Sequence, residues 1–553
     1  MERNEILETL LRNRGYSEIE IDHIIYHKEQ SIKDPLLLPN AYEAAVLLKK
    51  YCDKDSEIHI FADYDVDGLT SGIIIHDILE TYSKGYVSLT FPTRQEGYGM
   101  NMDWCEKIVA NSNIFEHEVL VVTVDNGIAC MEQIDYLQKN GIEVLVLDHH
   151  EAKETVPDCL IVDPHGAIKT EEYYHLAGCG VTFKVCQILA ALYDNYDMEE
   201  YTQYVALGTL ADVMELTEEN IALIQYGIDI MNQKSEYCCN DGLYWLFDYC
   251  GLSGYVTPKD LQFDIIPKLN ACGRLETIDV AYSLLDAKTK GDVNEAINHI
   301  ANIDETRKDL TKSAQKLIEQ QFAAGGYAMD IPFIMVLPHE YSGMCGAIAS
   351  KAIEATGCPA SFIFTQTTPI TFTGSGRSGH NQIDLQDVLN HELDYNNIMF
   401  FGGHKMAAGL TLMVDQYDTF SSSVSDYICN IYEHILLDPS EDKDEKQKYD
   451  IEIDFMDIGK DLYNKYSHIP FRESPIFKVS GVICTEAKAS KNNDKNIEYH
   501  FVKNNNLKKI WVWGQPKKNI VRKTVTLYGN IEKDFRNKTQ YTMRIENMEE
   551  QKL

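Results

Sequence analysis

The chain has 553 residues, more than a single hydrophobic core usually supports, so roughly three or four domains are expected. Its 44% hydrophobic and 25% charged residues are ordinary for a folded protein, and no apolar run is long enough for a membrane span. The formal net charge of −36 requires that any contact with nucleic acid use a local basic patch or bound cations. The 14 cysteines form no CxxC pair and the N-terminus lacks an apolar signal core, which predicts reduced thiols and a cytoplasmic protein.

The first half of the chain has the pattern of a helical region followed by an α/β domain. Residues 1–50 place leucines and isoleucines at helical spacing, which predicts an N-terminal helical region. From residue 57 to about 235, short β-branched runs alternate with helical stretches, as in a buried parallel sheet. The strand candidates are residues 58–61, 119–124, 144–147 and 160–162.

The pattern of the second half predicts a long helix, a second α/β domain and a small β domain. Residues 287–325 are the long connecting helix, and a charged segment at 438–446 indicates a linker. Strand candidates are residues 332–336, 361–364, 477–483 and 523–528. The expected segments are 1–50 helical, 51–286 first α/β domain, 287–325 connecting helix, 326–436 second α/β domain, 437–450 acidic linker and 451–553 β domain.

Acidic residues follow three of the strand candidates in the first α/β domain. The first run is followed by Asp63-Tyr64-Asp65-Val66-Asp67, the second by Asp125 and the third by Asp148-His149-His150. A fourth acid, Asp212, follows an apolar helical stretch. Because the carboxyl ends of parallel strands share one edge of the sheet, these side chains are expected to gather there.

Such a cluster of like charges is costly unless cations compensate it. Aspartate and histidine together suit Mn²⁺ or Mg²⁺, and two such ions about 3.5–4 Å apart catalyse displacement at phosphorus. The alternative is that acids at strand ends are helix caps and turn formers. For any single aspartate, a cap or turn role explains the residue about as well as a metal-ligand role does. It does not explain why five ligand candidates occur together.

The acidic segments occur in the order and rough spacing of the DHH phosphoesterase family, and Asp148-His149-His150 matches the motif that names it. Segments 92–99 and 269–274 are similar to those of RecJ-type exonucleases within that family. In the second half, His339 with segments 343–350, 374–378 and 402–409 resembles the DHH-associated domain. The resemblance covers about residues 1–436, and by position the last β domain is expected to be an OB-fold.

The resemblance implies two bound Mn²⁺ or Mg²⁺ ions and a role for each acid. The implied ligands are Asp65, Asp67, Asp125, His149 and Asp212. Asp65 and Asp67 are each expected to bind mainly one ion, and Asp125 is expected to bridge both. Candidates for a further ligand or for orienting the ligands are Asp63 and Asp148. With His150 contacting the phosphate, the implied catalytic residues are Asp125, His149 and His150.

Contacts to substrate phosphates must come from local donors, because the chain as a whole is anionic. The candidates are Arg94, Asn270, Arg274, Ser375, Arg377, Gly402, Gly403 and His404. Residues 485–540 contain thirteen basic against five acidic residues, a local net charge of +8, with interleaved aromatic residues. Basic grooves with stacking aromatics are how OB-folds hold single strands. The candidate DNA-binding residues there are Trp511, Trp513, Lys508 and Lys509.

The family resemblance implies a 5′→3′ exonuclease that hydrolyses single-stranded DNA to 5′-mononucleotides in DNA repair and recombination. Its implied partner is single-stranded DNA, with a single-strand-binding protein and a helicase as candidate protein partners and no membrane. Two alternatives stay open: a DHH phosphodiesterase of short oligonucleotides or cyclic dinucleotides, and a single-strand-binding scaffold that has lost catalysis. The basic C-terminal segment disfavours the first, and the intact set of Asp and His ligands disfavours the second.

Overall fold

The computed structural model describes most of the chain, and the statements below concern the described part. That part comprises residues 4–94, 96–97, 99–115, 117–151, 155–165, 173–195, 197–233, 240–252, 254–324, 331–437, 449–489, 496–512, 518–534 and 540–551. It divides into two compact units, neither of which is continuous in sequence. Unit 1 comprises residues 1–270, 278–297 and 446–553, and unit 2 comprises residues 271–277 and 298–445.

Unit 1 begins with three helices that have clear local signals. They are α1 (Glu5–Asn13), α2 (Glu18–Tyr26) and α3 (Ala41–Cys52). Asn4 caps α1 by accepting from the backbone N–H of Leu7. Ser17 and Glu20 form a reciprocal capping box at the start of α2, which satisfies backbone donors that a helix end otherwise leaves open.

Next along the chain, a five-stranded parallel sheet, called sheet A, forms the centre of unit 1. Its strands and intervening helices are β1 (Glu57–Ala62), α4 (Val66–Tyr82), β2 (Tyr86–Thr90), α5 (Met102–Phe115), β3 (Val119–Val124), α6 (Met131–Lys139), β4 (Glu143–Leu147) and β5 (Leu160–Val162). The strand order is β2-β1-β3-β4-β5, with every neighbouring pair parallel. This confirms the predicted parallel α/β fold. Strand β2 was not among the predicted strands, because it lies at an edge of the sheet and is only partly buried.

A series of helices follows sheet A. They are α7 (Gly178–Ala191), α8 (Thr202–Ala211), α9 (Glu218–Gln233), α10 (Asp241–Tyr249), α11 (Pro258–Asp260), α12 (Ile266–Leu275), α13 (Asp279–Leu285) and α14 (Lys290–Ala324). Helices α4, α7 and α8 pack on one another, and α7 and α8 are buried on almost every side. Because apolar residues surround these helices, burial fixes their position against the strand ends. The long connecting helix that the sequence predicted is α14.

Unit 2 contains a mixed five-stranded sheet, called sheet B. Its elements are β6 (Phe333–Leu337), α15 (Cys345–Thr356), β7 (Ala360–Thr368), β8 (Thr371–Ser378), α16 (Leu385–Asp394), β9 (Phe400–His404), β10 (Ala407–Met413) and α17 (Tyr417–Leu437). The strand order is β6-β7-β8-β10-β9, in which only β6 and β7 are parallel. Phe362, Phe364 and Leu410 on one face pack against Phe420 of α17, forming a closed core.

The C-terminal segment of unit 1 is a β-barrel. Its elements are β11 (Ile451–Glu452), α18 (Lys460–Tyr466), β12 (Phe477–Ala489), β13 (Ile497–Lys503), β14 (Asn506–Val512), β15 (Thr524–Lys533) and β16 (Tyr541–Glu550). The main strand order is β14-β13-β12-β15-β16, and β14 also approaches β16. Three successive strands with the fourth beside the first make a Greek key, the arrangement of OB-fold barrels. The predicted β-rich fold of this segment is confirmed.

The two ends of the chain share one hydrophobic core. Leu7, Leu10 and Leu11 of α1 are fully buried in the same cluster as the interior residues of the barrel. The Arg14 guanidinium donates to Asp450 Oδ1 at 2.6 Å, which ties the end of α1 to the start of the barrel segment. The N-terminal helices therefore complete the barrel module, a relation that the linear order of segments did not indicate.

No helix in the described ranges is both long enough and apolar enough to cross a membrane.

One buried ion pair links α7 to α9. Lys184 Nζ lies 2.6 Å from Glu219 Oε1, with the two side chains 0% and 3% exposed. Burial lowers the Lys184 pKa, and the neighbouring Glu219 carboxylate opposes that shift. The Lys33 carbonyl accepts a further hydrogen bond from the same ammonium.

We expect Glu219→Gln to lower the free energy of unfolding by about 3–5 kcal/mol, because it leaves a buried lysine without its counter-ion. Chemical denaturation at neutral pH measures the change. The matched control is Asp229→Asn on the same helix, which removes an exposed pair with Lys28 and should cost about 1 kcal/mol or less. Equal losses in the two variants would contradict the role assigned to the buried pair.

Candidate metal centre

The acids that follow β1, β3 and β4 lie together at the carboxyl edge of sheet A. Asp65 is the N-cap of α4, and its carboxylate accepts from the backbone N–H groups of Asp67 and Gly68 at 2.9 and 3.1 Å. The first turn of α4 therefore fixes Asp65 in place, in the way that an N-cap residue fixes a helix start. Asp65 is both a cap and a member of the cluster, so the two sequence interpretations are compatible.

Asp67 is held by a segment more than one hundred residues away in sequence. Its side chain is 1% exposed, and its two oxygens accept from the backbone N–H groups of Gly178 and Cys179 at 2.7 and 3.0 Å. These donors form the first turn of α7, where the helix dipole favours a negative charge. Gly208 of α8 lies so close that a Cβ there would come within 2.5 Å of Asp67 Oδ1.

Asp125 lies at the centre of the cluster in a strained backbone conformation. Its φ is 58°, in the left-handed region that non-glycine residues rarely adopt but that aspartate tolerates. A Cβ on Gly178 would lie 2.7 Å from Asp125 Oδ1, so the glycine is required for this approach. His149 Nε2 lies 3.2 Å from Asp125 Oδ1, 3.7 Å from Asp67 Oδ2 and 3.8 Å from Asp212 Oδ2.

Asp148 orients the two histidines that follow it. Its Oδ2 accepts from the Ile128 N–H at 2.9 Å, and its Oδ1 accepts from the His149 N–H at 2.8 Å. The Nδ1 of His150 lies 2.8 Å from the same Oδ1. These contacts use both carboxylate oxygens, so the geometry favours an orienting role for Asp148 over a ligand role.

Burial and mutual repulsion shift the pKa values of the cluster. Burial, followed by the charges of neighbouring aspartates, raises the pKa values of Asp63, Asp65, Asp125 and Asp212. For His149, burial and then His150 lower the pKa to about 4, which leaves a neutral imidazole able to bind a metal. For His150, burial lowers the pKa, but the hydrogen bond to Asp148 outweighs it and raises the pKa to about 9. His150 is thus a cation suited to a phosphate oxygen.

The donor set fits a pair of divalent cations. Three groups have ligand atoms within 4.8 Å of one another: Asp63, Asp65 and Asp125; Asp67, His149 and Asp212; and Asp125, His149 and His150. Asp125 belongs to two of these groups, as a bridging ligand must. The Oδ1 of Asp63 is buried and has no hydrogen-bond partner, which is costly unless a cation takes that place. Carboxylate oxygens with one neutral imidazole suit Mn²⁺ or Mg²⁺.

Two of the predicted phosphate contacts lie in unit 1 near this cluster. The Asn270 Oδ1 accepts from the Val66 N–H at 3.1 Å, in the first turn of α4 beside Asp65. The exposed guanidinium of Arg94 lies 5.6 Å from the centre of the Tyr64 ring, within the segment between Asp63 and Asp65. Asn270 therefore contacts the residue next to Asp65, and Arg94 lies near the residue between Asp63 and Asp65.

The other predicted phosphate contacts lie in unit 2, and most of them share one face of sheet B. Arg377 of β8 pairs through Ala407 of β10 with His404 of β9, so the three stand in one row across the strands. Ser375 is connected in the same way through Gly409 to Gly402. The remaining two predicted contacts are Gly403, which is in the left-handed region with φ 148°, and Arg274, whose carbonyl lies against Gly343.

Some aromatic residues that the sequence suggested for a strand-binding surface lie instead in the barrel core. Tyr499 and Phe501, which the sequence grouped with the interleaved aromatics, are 1% and 0% exposed in the barrel core. Because side chains alternate along a strand, their even-numbered neighbours on β13 point outward instead. On β14 the outward positions hold Lys509 and Trp511, which alternate with the buried Ile510 and Val512. That set of positions sorts the candidate DNA-binding residues into two groups.

Lys508 does not belong with Lys509 as a candidate for DNA contact. Its ammonium donates to the Ile458 carbonyl at 2.8 Å and lies 5.8 Å from the centre of the Phe455 ring. Burial lowers the Lys508 pKa. Its place on the inward register of β14 thus corrects the prediction, while Lys509 and the half-buried Trp511 keep suitable positions. Trp513 lies outside the described residues.

Two features of the cluster escaped the sequence analysis. The backbone donors of Gly178 and Cys179 carry no side-chain signal, and only the tertiary structure brings them to Asp67. Asp163 follows β5 just as the other acids follow their strands, so the strand-end rule could have found it. Burial, and then the charge of Asp148, raises the Asp163 pKa to about 7.

Comparison with known proteins finds a family model that matches the segment containing this site. The model of the DHH family, N-terminal domain, matches residues 57–209, the segment that carries the strand-end acids. Residues 57–209 are therefore similar to the N-terminal domain of the DHH family. This segment contains every ligand candidate except Asp212, which lies three residues beyond the match.

Curated proteins similar to this chain are named single-stranded-DNA-specific exonuclease RecJ. The Bacillus subtilis protein is 29% identical over 440 residues, which cover 77% of this chain and 52% of the relative. The Haemophilus influenzae protein is 28% identical over 446 residues, covering 76% of this chain and 75% of the relative. The match thus spans about half of the first relative's length and three quarters of the second's.

Solved structures extend the likeness to the fold. A crystal structure of exonuclease RecJ bound to manganese is 28% identical, has a TM-score of 0.59, and covers 71% of this chain and 95% of that one. RecJ of Thermus thermophilus in complex with Mn²⁺ has a TM-score of 0.73 at 21% identity and covers 100% of this chain and 79% of that one. The latter supports the fold alone.

We expect Asp125→Asn to stabilise the protein in chelator, because it removes one carboxylate from a buried anionic cluster. Since the native pKa of Asp125 is raised, the wild-type penalty is present at neutral pH and disappears as the pH falls toward the ordinary value of about 4. The gain in unfolding free energy should therefore shrink on acidification.

Thermal and chemical unfolding between pH 4 and pH 8, with and without Mn²⁺, measure this difference. Added Mn²⁺ should stabilise the wild type more than the variant. A variant that is less stable than the wild type in chelator at neutral pH would contradict the anionic-repulsion argument.

Proposed function

We propose that this protein is a two-metal 5′→3′ exonuclease that hydrolyses single-stranded DNA to 5′-mononucleotides in DNA repair and recombination. The observation that carries the proposal is a pair of neighbouring ligand groups, one of Asp63, Asp65 and Asp125 and one of Asp67, His149 and Asp212. The two groups adjoin where His149 Nε2 lies 3.2 Å from Asp125 Oδ1. Two neighbouring divalent cations would activate a water nucleophile and stabilise charge on the attacking and leaving oxygens of a phosphodiester.

The chain's own residues have distinct tasks in this proposal. Backbone donors hold the Asp67 carboxylate, and Gly178 and Gly208 pack closely against Asp125 and Asp67. His149 offers a neutral Nε2 to the cluster. His150, held as a cation by Asp148, places a positive charge where a phosphate oxygen can accept a hydrogen bond.

The named relatives support the substrate class. The relatives from Bacillus subtilis and Haemophilus influenzae are named as single-stranded-DNA-specific exonucleases, and the manganese-bound structure is that of an exonuclease. The barrel adds a second domain suited to a polymer, which an enzyme for cyclic dinucleotides does not need. We keep a single-strand-binding protein and a helicase as proposed partners on the family resemblance alone.

We expect the wild type to release mononucleotides from the 5′ end of a labelled single strand with Mn²⁺ or Mg²⁺, and none in chelator. Digestion of 5′- and 3′-labelled single strands and duplexes measures direction and strand preference. Asp125→Asn should reduce the rate at least about a hundredfold, because a bridging ligand is worth several kcal/mol of barrier.

Asp163→Asn is the matched control for that experiment, since it changes a buried strand-end acid outside the three ligand groups. It should keep the rate within about tenfold. Degradation from the 3′ end, or equal rates with and without metal, would refute the proposed activity. Cleavage of dinucleotides but not longer strands would favour the oligonucleotide phosphodiesterase instead.

We further propose that the outward face of β13 and β14 binds the strand through Lys509 and Trp511. Much of the local positive charge is engaged elsewhere: Lys523 pairs with Glu550 at 2.6 Å and Lys533 pairs with Asp260 at 2.9 Å. Lys509 is exposed, and it lies two residues before Trp511 on β14, so both side chains are on that face. A cation beside an aromatic ring is the combination that single-strand-binding surfaces use.

We expect Trp511→Ala to weaken binding of a single strand by about 1–3 kcal/mol, and Lys509→Ala to reduce the salt slope by about one. Fluorescence titration at several salt concentrations measures both effects, with Lys523→Ala as the matched lysine control. Point variants are preferable to removing the barrel, because its removal would expose Leu7, Leu10 and Leu11 of α1. Unchanged affinity and slope would assign the barrel another role.

A further inference from the structure

Phe400 is an exposed aromatic residue at an unusual place in unit 2. It begins β9, the edge strand of sheet B, and 60% of its surface is exposed. The next residue, Phe401, packs against the apolar core of the unit. Because side chains alternate along a strand, Phe400 must point to the opposite face of the sheet. The ring is therefore accessible to a ligand on that face, and what lies beside it decides which ligand it suits.

The strand register defines what else lies on that face. Phe400 pairs with Thr411, which pairs with Thr373, and these three form one row across β9, β10 and β8. The next row on the same face contains Gly402 and Gly409 with the serine of β8, and the third contains the arginine and histidine already described. Successive rows are two residues apart along each strand, or roughly 6.8 Å.

The middle row is flat and open. A Cβ built on Gly402 would meet no atom of the described residues within 4 Å, and one on Gly409 would meet only backbone oxygens at 3.9 and 4.0 Å. Over Gly402 and Gly409, therefore, no described side chain fills the space between the Arg377 row and the Phe400 row. Glycine at these positions allows a ligand to approach the backbone closely.

The first row combines an apolar ring with hydroxyl groups. The Thr373 Oγ1 lies 3.2 Å from Thr411 Oγ1 and 3.0 Å from Thr367 Oγ1, so the hydroxyls form a chain beside the ring. Hydroxyls both donate and accept hydrogen bonds, so they suit any base or sugar edge. Aromatic rings stack on any nucleobase, because every base has a π-face.

We infer that this face of sheet B holds one whole nucleotide: its phosphate at Arg377 and His404, its sugar across Gly402 and Gly409, and its base stacked on Phe400. The identification of the ligand as a nucleotide rests on the proposed exonuclease function. The base platform itself rests on the register, the open glycine row and the exposed ring. It adds a stacking residue to a region for which the sequence indicated only phosphate contacts.

The platform has a defined consequence for the 5′ end of a substrate. The nucleotide that it holds is the terminal one in this proposal, with the Arg377 guanidinium and the His404 imidazole as hydrogen-bond donors to its phosphate. Removing the first base of the strand and removing the Phe400 ring should therefore have the same effect, because each change abolishes the same stacking interaction. Purines should benefit more than pyrimidines, since they present a larger stacking area.

The test compares full-length wild type and Phe400→Ala on 5′-phosphorylated strands whose first residue carries a base or is abasic. The measured quantity is kcat/KM for the first cleavage with Mn²⁺. On the intact strand we expect Phe400→Ala to lose roughly fivefold to hundredfold, and the wild type to lose as much on the abasic strand. On the abasic strand the two proteins should be equal, because the interaction can be removed only once. Phe400→Trp should restore the rate on the intact strand.

Tyr395→Ala is the matched control, since Tyr395 is 68% exposed just before β9 but lies outside the three rows. It should leave every rate unchanged, and melting curves should show that all variants fold. Equal losses from Tyr395→Ala and Phe400→Ala on both strands would overturn the platform in favour of a general apolar docking patch.

The outcomes separate this inference from the proposed function. If the wild type cuts from the 5′ end but Phe400→Ala behaves like the wild type on both strands, the platform is wrong and the exonuclease stands. If the wild type cuts no single strand with either metal, the exonuclease proposal fails and the nucleotide assignment of this face fails with it.

Discussion

The concentration of buried carboxylates at one edge of sheet A is the constraint on which the organisation of unit 1 depends. Like charges removed from water repel strongly, so each must have a compensating partner. Asp65 takes two N–H groups of the first turn of α4, and Asp67 takes two from the first turn of α7. Asp148 is compensated by backbone donors and by the cationic His150. These donors do not compensate all of the negative charge, and a pair of divalent cations would neutralise the remainder.

That compensation in turn determines how the helices pack. Gly178 must approach Asp125, and Gly208 must approach Asp67, at distances that leave no room for a side chain. Helices α4, α7 and α8 therefore pack closely around the strand ends and bury Asp67 and Asp125. The same low-polarity surroundings that raise the carboxyl pKa values also keep His149 neutral, as a metal ligand must be.

The barrel shows how the chain ends serve the same unit. The first helix contributes three leucines to the barrel core, so the N-terminal and C-terminal segments stabilise one another. A surface that binds a flexible strand needs a rigid support, and this shared core provides it. In unit 2, the two faces of sheet B differ. Helices α16 and α17 cover one face, whereas Gly402 and Gly409 leave part of the other face open.

The sequence by itself determined the parallel sheet and the position of the acids. Parallel strands all end at one edge, so acids that directly follow β1, β3 and β4 must meet whatever the details of packing. Local hydrogen bonds such as the Asp65 cap are also predictable from neighbouring residues. The same rule extends to Asp163, which directly follows β5.

Only the tertiary structure decided the remaining features, because each depends on segments that are far apart in the chain. The donors to Asp67 come from a helix more than one hundred residues later, and they are backbone groups without a side-chain signature. Whether Tyr499 and Phe501 stack on bases or fill a core depends on which side of β13 faces the barrel interior, which closure of the barrel sets. The row of Phe400, Thr411 and Thr373 exists only through the pairing register of three strands. Composition and spacing can propose such neighbours, but packing selects them.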